Sequence, residues 1–208
     1  MLYLPFLGRR PSHFKVNRIV RAFIVSETLL WSGWALVNPI FAIFVADRVA
    51  GGNISTAAAA VTVNMIARIV FELWAGIHQA RSSNHAKFIY SIVGIGIVGL
   101  VYLGFAFVTH IYQVFLLLAL SGMGFGISTP AKMALFSGHL DKRIESAEWG
   151  WYDAAVFGGM ALTAFLGGVI AANFGFRALF MVSSVTILIG AIPFLLFFNY
   201  YHRPKHRR

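Results

Sequence analysis

Cysteine is absent from the 208 residues, so disulfides, thiol relays and iron–sulfur ligation have no place here. Charge is scarce too. Only 12% of residues are Asp, Glu, Lys or Arg, and seven of those are acidic, too little to coat a water-soluble domain of this size. Histidines number seven, and all fall in tails, breaks or helix ends, including His78, His85, His110 and His139. An intramembrane serine protease needs a His beside its Ser within the bilayer, and haem or metal sites need clustered ligands. No catalytic residue, cofactor or metal is therefore expected, and the chain reads as a non-enzyme. There is no long hydrophilic insertion, the largest internal break running from His139 to Gly150.

Apolar sequence is what the chain has in quantity: hydrophobic residues make up 59% of it. Six runs of about 20 to 27 residues each suffice to cross ~30 Å of hydrocarbon. They are placed at Ala22–Ala46, Thr56–Ala80, Phe88–Thr109, Tyr112–Gly138, Trp151–Asn173 and Ala178–Tyr201. Stretches such as Ile89–Val101 are apolar on every side, which suits helices and not the alternating strands of a barrel. The predicted class is an all-α membrane protein of six transmembrane helices. A basic arm (1–21) and a basic tail (202–208) flank one membrane domain (22–201).

A net charge of +10 would suit nucleic acid, but its distribution indicates topology. Lys and Arg gather in the N-terminal arm (Arg9, Arg10, Lys15, Arg18, Arg21), the second break (Arg81, Lys87), around the fourth (Lys132, Lys142, Arg143) and the tail (Arg203, Lys205, Arg207, Arg208). The other breaks hold only Arg48 and Arg177. This alternation follows the positive-inside rule and predicts cytoplasmic termini in a multi-pass protein of the inner or plasma membrane. The tail would also attract anionic headgroups; lipid is an expected partner and nucleic acid is not. Tyr112, Trp149, Trp151, Tyr200 and Tyr201 fall where an interfacial aromatic belt is expected.

Ionisable groups inside a bilayer cost about 2.5–3.5 kcal/mol each on insertion scales, so each requires a reason. Glu27, Trp31, Trp34 and Asn38 recur at spacings of four, three and four, on one helical face. That stripe suits either the lining of a cavity for an organic solute or packing between helices, with Glu27 reaching back to water. Asn64, Arg68 and Glu72 share a face of the second run, where Arg68–Glu72 forms an i, i+4 ion pair near mid-membrane. On this view Arg68→Ala should do more damage than Lys132→Ala. Lys132 and Asp153, toward the cytoplasmic side, read either as boundary residues or, with Glu27 and Glu72, as a charge network. Ser32-Gly33 before Pro39 and Ser121-Gly122 before Pro130 occupy similar depths in helices of opposite direction, a pattern that a 3+3 inverted repeat would produce.

These features together resemble the N-terminal six-helix half of a major facilitator superfamily transporter, over Phe23 to Phe198. After the second run, Gly76, Arg81, His85 and Lys87 match a loop signature, with Ala80 at its acidic position and Ser83 at its second glycine. Gly122, Gly124 and Gly126 match the fourth helix, where Leu118 replaces an arginine. Gly159, Thr163-Ala164 and Gly167-Gly168 are similar to the glycine-rich fifth helix without its Gly-Pro. Asn173 to Phe180 resembles the turn into the sixth, and Arg143, Ala147 and Gly150 fit the preceding loop.

The resemblance implies a permease for a small organic solute, with or without a coupling ion, working by rocking alternating access. Glu27, Trp31, Trp34, Asn38, Asn64, Arg68 and Glu72 would line its transport cavity. Gly76, Arg81, Lys132, Arg143 and Asp153 would form a cytoplasmic gate, and Gly122, Gly124, Gly126, Gly159, Gly167 and Gly168 would allow close helix packing. One half encloses no path, so a homodimer or a second six-helix half is the expected partner. A non-transporting accessory protein or a transporter fragment is the alternative.

Overall fold

The computed structural model describes residues 18–196; residues 1–17 of the N-terminal arm, Tyr200, Tyr201 and the basic tail lie outside the described residues, while Arg18 and Arg21 open the first helix. α1 (Arg18–Val37) passes through a 3-10 turn at Asn38–Ile40 into α2 (Phe41–Arg48). α3 (Ile54–Gln79), α4 (Asn84–Phe105), α5 (Ile111–Ser137) and α6 (Glu145–Ile189) follow. Five helical runs are long and apolar enough to cross a membrane: Arg18–Arg48, Ile54–Gln79, Asn84–Phe105, Ile111–Ser137 and Glu145–Leu196. No strand appears among the described residues beyond a single bridge, in which Ala50 N–H donates to Thr109 O (2.8 Å) and Ile111 N–H to Ala50 O (3.0 Å).

Local chemistry explains the breaks. Pro39 withholds an amide from the turn before it and forces the 3-10 step. Asn53 caps α3, its side chain accepting from Thr56 N–H at 2.9 Å while Thr56 Oγ1 accepts from Asn53 N–H at 2.9 Å. Ser83 accepts from Ala86 N–H at the start of α4.

The expected fifth and sixth runs are joined in α6, and their separation is shorter than the sequence suggests. Gly175, at φ 79° and ψ 169°, is the one non-helical residue within it. That backbone conformation favours glycine. The neighbours of α1 show what the break does. Gly159 lies against Thr28 and Ser32, and Gly167 against Leu36, whereas Ser183 bonds Gly33 and Gly190 lies against Ser26. Contacts ascend α1 before Gly175 and descend it afterwards, so the two arms of α6 run antiparallel and flank α1. The start also moves. α6 begins at Glu145, six residues before the expected Trp151, because the Glu148 carboxylate is buried and accepts from Asp141 N–H at 2.8 Å, tying down the preceding loop.

α3 packs against α5, and α4 lies against both α5 and the second arm of α6. Small residues set these distances. A Cβ at Gly122 would strike the carbonyl of Asn64 and reach 3.0 Å from Ala67 Cβ, and one at Gly126 would come within 2.7 Å of Phe71 Cβ. Gly124 meets Gly94 of α4 in the same way. Gly168 departs from the packing expected of it. Nothing lies within 4 Å of its Cβ position, so it points away from the rest of the chain.

Buried serines add hydrogen bonds between helices: Ser26 Oγ donates to Gly190 O, Ser183 Oγ to Gly33 O, and Ser184 Oγ to Gly99 O at 2.7 Å. Among the residues expected in the interfacial belt, Trp149 is half-buried. It packs edge-on to Phe136, ring centroids 4.7 Å apart, while Trp151 and Tyr112 remain exposed.

Gly122→Val should force α3 from α5 and lower stability by about 1–3 kcal/mol, read as a lower unfolding temperature in detergent. Gly168→Val, with open space around it, should leave that temperature unchanged. Equal losses from the two would show that packing at Gly122 is not what holds α3.

Candidate functional site

Two clusters gather the residues singled out in the sequence. The first is a buried carboxylate. Glu27 has 1% of its surface exposed, and its Oε1 lies 2.7 Å from Lys132 Nζ, itself buried. Oε2 accepts from Trp31 Nε1–H at 3.2 Å, and Tyr152 O–H is directed at it from 3.4 Å. α1, α5 and the first arm of α6 therefore meet at one carboxylate. This decides between the two readings of the sequence: Glu27 does not reach back to water and Lys132 is not a boundary residue. The charge network is formed by these two and not by Glu72, paired with Arg68, or the exposed Asp153. Neither has access to solvent, and each neutralises the other.

The second element is the Arg68–Glu72 pair. Nε lies 3.2 Å from Oε2, with the two side chains 33% and 38% exposed. The guanidinium also sits over the Phe125 ring at 5.4 Å, and Phe125 stacks on Trp31 with centroids 5.6 Å apart. Trp34 meets Trp31 edge-on at 5.7 Å. The rings of Trp31 and Phe125 thus lie between the two ion pairs.

Beyond this aromatic layer, toward the bridge between Ala50 and His110, a cavity of ≈ 300 Å³ opens. It is lined by Trp34, Val37, Asn38, Phe41, Val61, Asn64, Met65, Tyr102, Phe105, Leu118, Ser121 and Phe180. Of the expected cavity set, Trp34, Asn38 and Asn64 line it. Glu27, Trp31, Arg68 and Glu72 do not. Asn38 lies 11 residues beyond Glu27, about 16 Å along a helix. Asn64 Nδ2–H donates to the carbonyl of Leu118 at 2.8 Å, which fixes the carboxamide at the wall.

The residues expected to form a gate are not drawn together in this structure. Lys132 is taken by Glu27; Arg81, Arg143 and Asp153 are exposed; Gly76 has nothing within 4 Å of its Cβ position. Arg143 occupies the loop before α6 at φ 80°.

Tyr152, Phe125, Tyr102 and Ser121 were missed from the sequence. Tyr152 had a detectable signal. It follows Trp149 by three and precedes Val156 and Gly159 by four and seven, an inward stripe of the first arm of α6. Tyr102 and Ser121 had none, because their place depends on how α4 and α5 are seated.

Lys132→Met would leave a buried carboxylate unpaired and should cost roughly 3–5 kcal/mol of stability. Adding Glu27→Gln should restore most of it. Arg68→Met, on the partly exposed outer face of α3, takes away a costly guanidinium along with its pair and should cost less than Lys132→Met. That order reverses the one expected from the sequence, and chemical denaturation in detergent reads it directly.

The family model described as Major Facilitator Superfamily matches residues 23–208. Among solved structures, the in meso crystal structure of the POT family transporter PepTSo is similar at a TM-score of 0.75 and 16% sequence identity, over 88% of this chain and 38% of that one. The chain therefore spans well under half the length of that transporter. No curated protein matches it in sequence.

Proposed function

This chain belongs to the Major Facilitator Superfamily, and we propose that it is one half of a secondary transporter, two copies of which move a small organic solute across the cell's inner or plasma membrane. In this reading the two arms of α6 count as separate spans, giving six, with both termini cytoplasmic as the charge alternation requires. The halves rock about a shared path in alternating access.

One observation carries the proposal. α3 presents Arg68 and Glu72 on a half-exposed face near the middle of its 26 residues. In an isolated copy that face would meet lipid, where a guanidinium is costly even when paired. The rest of the surface there is apolar, Met65, Ile69 and Leu73 being more than half exposed. A second copy, inserted in the same orientation and related by a two-fold axis along the membrane normal, would cover it. The exposed first arm of α6, with Phe157 and Phe165, would complete the contact. The buried Glu27–Lys132 pair then clamps α1 to α5 within each copy, and Arg68–Glu72 contributes to the shared path.

Flux of a solute panel into proteoliposomes holding this chain alone tests the function. Uptake is expected, and it should fall at least about tenfold in Arg68→Ala if the pair lines the path. Single cysteines introduced at Ile69 and Phe165 should trap dimers in native membranes. A chain that remains monomeric and copurifies with a different six-helix protein would replace the homodimer with a two-gene transporter, and absence of any flux would favour an accessory role. For orientation, cysteines at Ser55 and Ser146 should label from opposite faces of the membrane; labelling from one face sinks the topology.

A further inference from the structure

We infer that the ≈ 300 Å³ cavity beside Trp34 and Asn64 is a binding pocket for an uncharged, ring-bearing solute with hydrogen-bonding groups, and that it rejects ions. The inference rests on the transporter reading and narrows its substrate. Its volume is at the lower end of ligand pockets, about 300–1,000 Å³, which fits a molecule of modest size.

Charge selects first. Among the described residues, no Asp, Glu, His, Lys or Arg lines the cavity. The two nearby cations are engaged elsewhere, Lys132 by Glu27 and Arg68 by Glu72 and the Phe125 ring. An ion entering would lose its hydration and find no counter-charge. Shape and polarity select next. Trp34, Tyr102 and Phe105 present aromatic surface suited to a ring.

Against them stand polar groups that the fold leaves free. Ser121 and Tyr102, 2% and 6% exposed as residues, and Asn38, which is exposed, line this space, and none of the three side chains has a hydrogen-bond partner among the described residues. Asn64 uses one amide hydrogen on Leu118 O and keeps its other hydrogen and its oxygen. These groups face the cavity without a protein partner, and a hydroxyl or amide on the solute would satisfy them there. An acyl chain from the bilayer would fill the space and leave them unpaired, so lipid is the poorer occupant.

The test uses three probes of one skeleton: 2-phenylethanol, 2-phenylethylamine and phenylacetate, neutral, cationic and anionic at neutral pH. Binding of each labelled probe to the full chain in nanodiscs is measured by equilibrium dialysis, with empty nanodiscs subtracted. The alcohol should bind saturably and at least about tenfold more tightly than either ion. Asn38→Leu and Asn64→Leu should each weaken it about fivefold or more. Asn38 holds no side-chain hydrogen bond, so its replacement leaves the fold intact even if that of Asn64 does not.

An ion that binds as well as the alcohol overturns the inference, as does absence of saturable alcohol binding. Unchanged or tighter binding in Asn38→Leu also overturns it and identifies an acyl-chain crevice. The two readings fail separately. Saturable, neutral-selective binding without flux would keep the pocket and remove the transporter, whereas flux indifferent to both asparagines would keep the transporter and remove the pocket.

Discussion

Within a bilayer, lipid tails are as apolar as leucine, so helices gain little by hiding apolar surface from one another. What brings them together is close approach and the pairing of polar atoms that lipid cannot solvate. The structure follows from that constraint. Gly122 and Gly126 admit α3 to within backbone contact of α5, and Gly33 and Gly167 let the arms of α6 close on α1. Ser26, Ser183 and Ser184 then each donate across a helix boundary to a backbone carbonyl. Such bonds average only about 0.6 kcal/mol in membrane proteins, so they act by number and by fixing register. The helices the proposal turns toward a partner copy, α3 and the first arm of α6, carry the large exposed apolar side chains instead.

The two ion pairs show how burial separates residues of similar chemistry. Arg68 and Glu72 are one turn apart on a single helix, form in any register, and remain a third exposed. Glu27 and Lys132 come from different helices and exist only when α1, α5 and α6 are seated together. The first pair can form before the bundle does. The second reports that assembly is complete, because a misplaced helix would leave two unpaired charges in hydrocarbon.

This difference also marks how far the sequence could be read. The apolar runs and the Arg68–Glu72 pair depend on spacing within one segment, and both were readable. The Glu27–Lys132 pair joins positions 105 apart, so the sequence offers it only as one of two readings, a charge network beside boundary residues, and proximity to a predicted membrane edge does not choose between them. An interfacial position in the sequence likewise does not reveal that Phe136 lies opposite Trp149. The cavity draws on every helical run, so its polar members Tyr102 and Ser121 carry no local signal. Helix ends shifted where one buried carboxylate, Glu148, or one glycine, Gly175, overruled the hydropathy pattern.

Gly175 has a mechanical implication. Most hairpins between membrane helices have several loop residues that absorb sliding or twisting of one helix against the other. Here a single residue makes the reversal, and Phe176 and Phe180 just beyond it pack on Phe44. The two arms consequently have no slack. A shift of the first arm along its axis must be transmitted to the second, and α1, held between them by Gly167 on one side and Ser183 on the other, must travel with both. These three elements are thereby joined as one unit.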